Sequence, residues 1–184
     1  MHVEIYTDGS GTTRDSPACI GVVVIGNGYS LVEVSEYVGP GSNNTAELRA
    51  IRRGLYLAQV RFGLAQPATL YTDSRYALGC IAGTLRPNHE HEKLVDAIRA
   101  QLRRMPAVKL EHVDGHAGIP GNELADFLAG EARQRFLAAH PAEAVRLDAR
   151  TMKKRPEGTY RRRPLLEREL AAFKDTSATP AATG

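Results

Sequence analysis

Two related stretches decide the fold: VEIYTD at residues 3–8 and TLYTD at residues 69–73. Each reads as a short strand that ends in an aspartate. If the two strands are parallel neighbours, the repeated Tyr-Thr-Asp tripeptides end at the same edge of the sheet, with the strands about 5 Å apart. Two carboxylates, from Asp8 and Asp73, would then converge at the carboxyl edge, where open α/β sheets tend to bind ligands.

The residues that follow the first stretch predict an antiparallel unit. An apolar run, Ala18–Ile25, leads into Gly26-Asn27-Gly28, which is a strong signal for a hairpin turn. The segment Leu31–Val38 follows this turn and shows the two-residue alternation that is typical of a strand. Together with Val3–Thr7, these segments predict three antiparallel strands.

Helical periodicity begins after this unit. Thr45–Phe62 carries one apolar stripe, made of Leu48, Ile51, Leu55, Ala58 and Phe62. The rest of the pattern predicts a strand at Thr69–Thr72, a short helix from Ser74, a helix near Glu90–Arg104, a strand at Val108–Val113 and a long helix from Pro120 to about Ala139. The order βββαβααβα favours an α/β fold with a five-stranded mixed sheet flanked by helices, because strands that follow crossover helices usually add in parallel.

Charge divides the 184-residue chain into two parts. Residues 1–140 hold 14 Lys/Arg and 15 Asp/Glu, whereas residues 141–184 hold 10 and 6. We therefore expect one domain at 1–140 and a basic, partly disordered extension at 141–184. Basic clusters at 153–155 and 161–163 are typical of a solvated tail, and the alternative is that they contact the phosphates of a nucleic acid.

Cysteine content and hydropathy exclude several classes of protein. Cys19 and Cys80 each lie in an apolar run, which gives neither a disulfide framework nor metal-ligand spacing. No apolar run approaches the length of a membrane span. We expect a monomeric cytoplasmic protein with no membrane partner.

Glu47 and Asp126 are further candidates for the carboxyl edge of the sheet. Each acid also has an ordinary structural interpretation: Asn44-Thr45-Ala46-Glu47 fits a capping box, Asp8 and Asp73 suit turns or caps, and Asp126 suits a solvated helix face. Several carboxylates without a Cys or His ligand set favour Mg²⁺ or Mn²⁺ over zinc.

The acids occur within four blocks that resemble the type 1 ribonuclease H family. The blocks are YTDGS at 6–10, NNTAEL at 43–48, YTDS at 71–74 and GHAGIPGNELAD at 115–126, and the resemblance covers about residues 1–139. It implies the ribonuclease H-like fold and an endonuclease that cuts the RNA strand of RNA–DNA hybrids, leaving a 5′-phosphate and a 3′-hydroxyl. It also implies two Mg²⁺ ions, which Mn²⁺ can replace.

The resemblance assigns a role to each acid. Asp8, Glu47, Asp73 and Asp126 are implied to be both catalytic and metal-binding: Asp8 bridges the two ions, Glu47 and Asp73 share the ion nearer the leaving oxygen, and Asp126 holds the ion that activates water. His116 matches the family's loop histidine, which assists water activation or product release, so its removal is expected to slow cleavage without abolishing it.

Substrate contacts are predicted from the same blocks. Gly9, Ser10 and Gly11 would bring backbone close to the 2′-hydroxyls of RNA, and Asn43 and Asn44 match family residues near the minor groove. Arg75 stands where bacterial members commonly carry Gln. Many bacterial members of the family carry a basic protrusion after the helix that follows Asp73. This chain lacks it, and it has no Trp.

Other interpretations of these residues remain open. A DnaQ-like 3′→5′ exonuclease normally has Asp-x-Glu in its first motif, whereas this chain has Asp8-Gly9-Ser10. A retroelement-derived domain would share the chemistry, and a non-catalytic hybrid-binding module would not need all four acids and His116. His89-Glu90-His91-Glu92 looks like a ligand cluster, but its polar context before a helix predicts surface positions.

Overall fold

The computed structural model describes residues 2–152. Its five strands are β1 (Val3–Ser10), β2 (Pro17–Gly26), β3 (Tyr29–Pro40), β4 (Ala68–Thr72) and β5 (Val108–His112). They form one sheet in the order β3-β2-β1-β4-β5, in which β1, β2 and β3 are antiparallel and β4 and β5 add in parallel. The predicted five-stranded mixed sheet is confirmed.

The parallel pairing of β1 with β4 brings the repeated tripeptides together. Tyr6 lies opposite Tyr71 in this pair, so the aspartates that follow them reach the same edge of the sheet. The β2–β3 hairpin also turns where expected, because Asn27 and Gly28 both have positive φ angles, 53° and 80°.

Five helices and one short 3₁₀ helix complete the described residues: α1 (Asn43–Phe62), α2 (Arg75–Ala82), His89–His91 as the 3₁₀ helix, α3 (Glu92–Arg104), α4 (Pro120–Ala139) and α5 (Pro141–Met152). The helix α5 was not predicted from the sequence. None of the helices in the described part of the chain is long and apolar enough to cross a membrane. The basic clusters predicted at 153–155 and 161–163 lie outside the described residues.

Helices cover both faces of the sheet, which explains why every residue of β2 is buried. Val22 and Val24 belong to the core cluster that contains Leu48 of α1. Val23 points to the other face, where it packs in a cluster with Leu124 of α4. The apolar stripe predicted for α1 faces the core, and the sheet is held between α1 and α4.

Gly21 of β2 allows α4 to lie close to the sheet. A Cβ atom at Gly21 would overlap the carbonyl oxygen of Ala125, so the backbones of β2 and α4 are in direct contact there. Asp126 is the next residue of α4, and Gly21 pairs with Asp8 in the β1–β2 register. Because Gly21 has no side chain, α4 can lie close to the sheet, and this close approach brings Asp126 towards β1.

Two helix starts differ from the sequence prediction. The first residue of α1 is Asn43 rather than Thr45, and its N-cap is Ser42, whose hydroxyl accepts the Thr45 N–H at 3.3 Å. Asn44 therefore lies inside the first turn, and its proposed role as a cap is wrong. Similarly, Glu90 belongs to the 3₁₀ helix, and α3 begins at Glu92.

Candidate active site

Asp8, Glu47 and Asp73 form one acidic cluster at the carboxyl edge of β1 and β4. One carboxylate oxygen from each lies within 4.8 Å of the others. Asp8 is near the end of β1, and Asp73 directly follows β4. The predicted convergence of the first and third acids is therefore seen in the structure, and Glu47 joins them.

Glu47 reaches the cluster because β1 and α1 approach closely. A Cβ atom at Gly9 would overlap the backbone nitrogen of Glu47, so only glycine fits between β1 and the first turn of α1. The Glu47 side chain is 4% exposed, although most acids of that size lie in solvent. Gly9 is thus part of the reason that a glutamate can sit beside two aspartates.

Electrostatics in the acidic cluster disfavour three negative charges. Burial raises the pKa of Glu47 well above its ordinary value, and the charges of Asp8 and Asp73 add to the effect. Hydrogen bonds from the Gly9 backbone and from Asn43 act in the opposite direction. Glu47 Oε2 is buried with no hydrogen-bond partner among the described residues. A divalent cation would satisfy that oxygen and offset two of the three negative charges, so the donor set fits a hard metal ion.

Replacing Glu47 with Gln is expected to stabilise the metal-free protein at alkaline pH. Because folding raises the pKa of Glu47, the folded state holds its proton more tightly than the unfolded state does. Stability therefore falls as the pH rises above the ordinary value of 4.5, until Glu47 ionises in the folded protein. In EDTA, Glu47→Gln should melt at a higher temperature than wild type at about pH 8, and the difference should vanish near pH 4. Equal melting temperatures at alkaline pH would contradict the raised pKa.

Asp126 approaches the acidic cluster from α4. Burial raises the pKa of Asp73, and the charge of Asp126 is the next largest cause, which places the two carboxylates within electrostatic reach. His116 acts in the opposite direction on the pKa of Asp73. The charge of the fourth predicted acid therefore acts on Asp73, but Asp126 does not belong to the group of three acids whose oxygens lie within 4.8 Å of one another.

His116 lies on the loop between β5 and α4. Its side chain is 54% exposed, and its Nδ1 is 3.9 Å from Asp126 Oδ2. The backbone at His116 has a φ of 57°, a region that few residues other than glycine adopt. This arrangement places the imidazole beside the fourth acid with access to solvent.

The predicted substrate residues surround the acidic cluster in different ways. Asn43 is exposed and bridges two elements: its Oδ1 accepts the Gly11 N–H at 3.2 Å, and its Nδ2 donates to Glu47 Oε1 at 3.3 Å. Gly9 and Ser10 are buried, Gly11 and Asn44 are partly exposed, and the Asn43 amide holds Glu47 in place.

Arg75 lies further out, at the start of α2. Its side chain is 82% exposed, and its Nη2 is 3.8 Å from Asp114 Oδ1. It borders an open groove of about 420 Å³ that His112 and Thr84 also line. Arg75 is therefore free of the core, and its guanidinium extends over a surface beside the carboxyl edge.

The RNase H family model matches residues 1–134. The chain belongs to the ribonuclease H family. The ribonuclease H of Rhizobium meliloti (strain 1021) is 32% identical over 162 residues, which cover 79% of this chain and 99% of that protein. The resemblance inferred from the four blocks, and the enzyme class it implied, are confirmed.

Solved structures of ribonucleases H share the fold. RNase H1 from the halophilic archaeon Halobacterium salinarum NRC-1 superposes with a TM-score of 0.64 at 28% identity, covering 73% of this chain and 99% of that one. LC11-RNase H1 in complex with an RNA/DNA hybrid gives a TM-score of 0.60 at 26% identity, covering 71% and 98%. The matched length is nearly the whole of each relative, whereas it covers 71–79% of this chain.

Sequence reasoning missed two residues of this ribonuclease H. Glu123 lies one turn before Asp126, where its Oε1 accepts the Gly118 N–H at 3.3 Å and its Oε2 is 4.0 Å from His116 Nδ1. The i, i+3 spacing of Glu123 and Asp126 on a predicted helix was the available signal. His91 is the second: its side chain is 1% exposed, so the predicted surface position is wrong.

Proposed function

We propose that this ribonuclease H hydrolyses the RNA strand of RNA–DNA hybrids endonucleolytically, with divalent metal ions held by its four acids. The observation that carries the proposal is the acidic cluster, three carboxylates within 4.8 Å at the sheet edge, with the charge of Asp126 acting on Asp73. The similarity to LC11-RNase H1, a protein crystallised with an RNA/DNA hybrid, supports the choice of substrate.

Mg²⁺ is the proposed ion, with Mn²⁺ as a substitute, because all the available donors are carboxylate oxygens. Asp8, Glu47 and Asp73 would hold one ion, and Asp8 and Asp126 would hold a second. Bound ions would supply a nucleophilic water at neutral pH and neutralise the charge on the leaving oxygen. The products expected from such an in-line displacement are a 5′-phosphate and a 3′-hydroxyl.

The remaining site residues either position the acids or transfer protons. Asn43 fixes Glu47 Oε1 through its amide, which leaves the unpartnered Oε2 as the oxygen that would bind an ion. His116, half-exposed near Asp126, passes a proton between the site and solvent. Its loop position supports an assisting role, since a group on a loop outside the acidic cluster cannot replace the acids.

Recognition of RNA is proposed to come from the backbone of Gly9–Gly11 and from Asn43, Asn44 and Arg75. A 2′-hydroxyl is both donor and acceptor, so backbone groups and amides can read it across the wide minor groove. Arg75 is exposed and able to reach a phosphate from the groove that it borders. A hybrid-binding module without catalysis is disfavoured, because such a module gains nothing from two buried carboxylates and a half-buried third that repel one another.

A cleavage assay tests the proposal directly. An end-labelled RNA–DNA hybrid is expected to be cut at internal positions in Mg²⁺ or Mn²⁺, and EDTA should abolish cleavage. The product ends are read by phosphatase sensitivity and by ligation. Digestion only from a 3′ end would instead support the exonuclease interpretation, and binding without cleavage in either metal would support the binding module.

A further inference from the structure

His91 lies in the interior between the first turns of α1 and α2. Both of its ring nitrogens have hydroxyl partners: Nδ1 is 2.8 Å from the Tyr76 hydroxyl, and Nε2 is 2.9 Å from Thr45 Oγ1. The Tyr76 ring also meets the imidazole edge-on, with centroids 5.6 Å apart. A buried histidine whose two nitrogens are both satisfied is held in one orientation.

The hydrogen bonds extend from His91 to the start of each helix. On the α1 side, Thr45 Oγ1 is 3.0 Å from Ser42 Oγ, the N-cap of the helix that carries Glu47. On the α2 side, Tyr76 belongs to the first turn, and the cap of that helix, Ser74, directly follows Asp73. Three side chains thus connect the turn that carries Glu47 with the turn that follows Asp73.

A neutral imidazole suits this position. It donates from one nitrogen and accepts at the other, which matches two hydroxyl partners. Burial lowers the pKa of His91 and Arg49 acts in the same direction, whereas Glu90, 3.5 Å from Nε2, acts against them. Glu90 itself is 3.4 Å from the guanidinium of Arg14. The hydrogen bonds of His91 connect the two helices, and no change in its protonation is involved.

We propose that His91 is a positioning residue that holds Glu47 against Asp73 and thereby sets the metal affinity of the acidic cluster. The inference rests on the proposed metal site. Glu47 lies two residues after Thr45, and Asp73 lies three residues before Tyr76. The contact with Gly9 fixes the first turn of α1 against β1, and this is one support for the position of Glu47 beside Asp73. The Thr45–His91–Tyr76 contacts are a second support, because they join the same turn to the start of α2, which follows Asp73.

His91→Phe tests the proposal, since it keeps an aromatic ring and removes both nitrogens. Titration of the metal-free protein with Mn²⁺ by calorimetry, with no hybrid present, is expected to show a dissociation constant about three- to tenfold higher than that of wild type. The Mg²⁺ concentration for half-maximal cleavage should rise by the same factor. Ile98→Val is the control, because Ile98 is fully buried in α3 and lies outside the hydroxyl contacts. It should lower the melting temperature and leave Mn²⁺ affinity unchanged.

Each outcome bears on the proposal. Equal Mn²⁺ affinity in His91→Phe and wild type, at a temperature where both are folded, would overturn it and leave His91 with a purely structural role. If His91→Phe does not fold, Tyr76→Phe removes one hydroxyl instead, and an unchanged affinity there overturns the proposal equally. If wild type binds no Mn²⁺ at the acids, the proposed function itself fails. The two failures are therefore distinguishable.

Discussion

Asp8→Asn is expected to slow RNA-strand cleavage by at least about 10³-fold, which corresponds to about 4 kcal/mol in the activation barrier. Asp8 contributes an oxygen to the acidic cluster, and the proposed mechanism places it on both ions. The amide keeps the shape of the side chain and removes the negative charge that a hard cation requires. Asp126→Asn should have a similar effect through the second ion.

Affinity for the hybrid should change little in both variants, because the acids hold metal more than nucleic acid. Single-turnover cleavage at saturating hybrid measures the rate, and fluorescence anisotropy without divalent cation measures binding. Asp96→Asn is the matched control: Asp96 is exposed on α3 and pairs with Arg99 at 3.7 Å. A rate in either active-site variant within about tenfold of wild type in Mg²⁺ would refute the metal assignment.

The second large effect concerns the sugar. An RNA–DNA hybrid is expected to be cut on the order of 10³-fold or more faster than a DNA duplex of the same sequence, because groups built to hydrogen-bond a hydroxyl are left unpaired when it is missing. Asn43 and the backbone of Gly9–Gly11 are the groups proposed to meet the 2′-hydroxyl. Duplex DNA should still bind weakly through its phosphates.

A chimeric substrate sharpens this comparison. A DNA duplex that carries four consecutive ribonucleotides in one strand should be cut only within or beside them, and the positions of the cuts show which hydroxyls are read. Gel analysis of both labelled strands gives rates and positions together. Comparable cleavage of an all-DNA duplex would contradict this prediction and indicate a resolvase-like activity instead.

The sheet could be predicted from sequence because its signals are local. The apolar run of β2, the Asn27-Gly28 turn and the repeated Tyr-Thr-Asp each depend on a few adjacent residues. The convergence of Asp8 and Asp73 followed from the parallel pairing of two strands, which is a rule about topology rather than about side chains. The identification of Glu47 and Asp126 needed the family resemblance, because a helix acid on its own usually lies in solvent.

What escaped prediction depends on contacts between distant segments. His91 sits in a polar stretch, and its burial arises only because Thr45 and Tyr76, 46 and 15 residues away, bring hydroxyls to both ring nitrogens. The cap of α1 was misplaced by two residues because Ser42 and Asn44 are both good N-cap residues. In the structure Ser42 is the cap, and Gly9 and Gly11 lie directly against the start of α1, a contact between distant segments that local sequence does not show.

The contact at Gly21 limits how this protein can evolve. Most buried positions in a strand accept several apolar residues, and drift among them is nearly neutral when volume is conserved. Gly21 differs, because even alanine would push its Cβ into the Ala125 carbonyl and displace α4 together with Asp126. A lineage that lost this glycine would have to move the whole helix before it regained its fourth acid. Selection for catalysis is thus expected to act on a residue that no substrate touches.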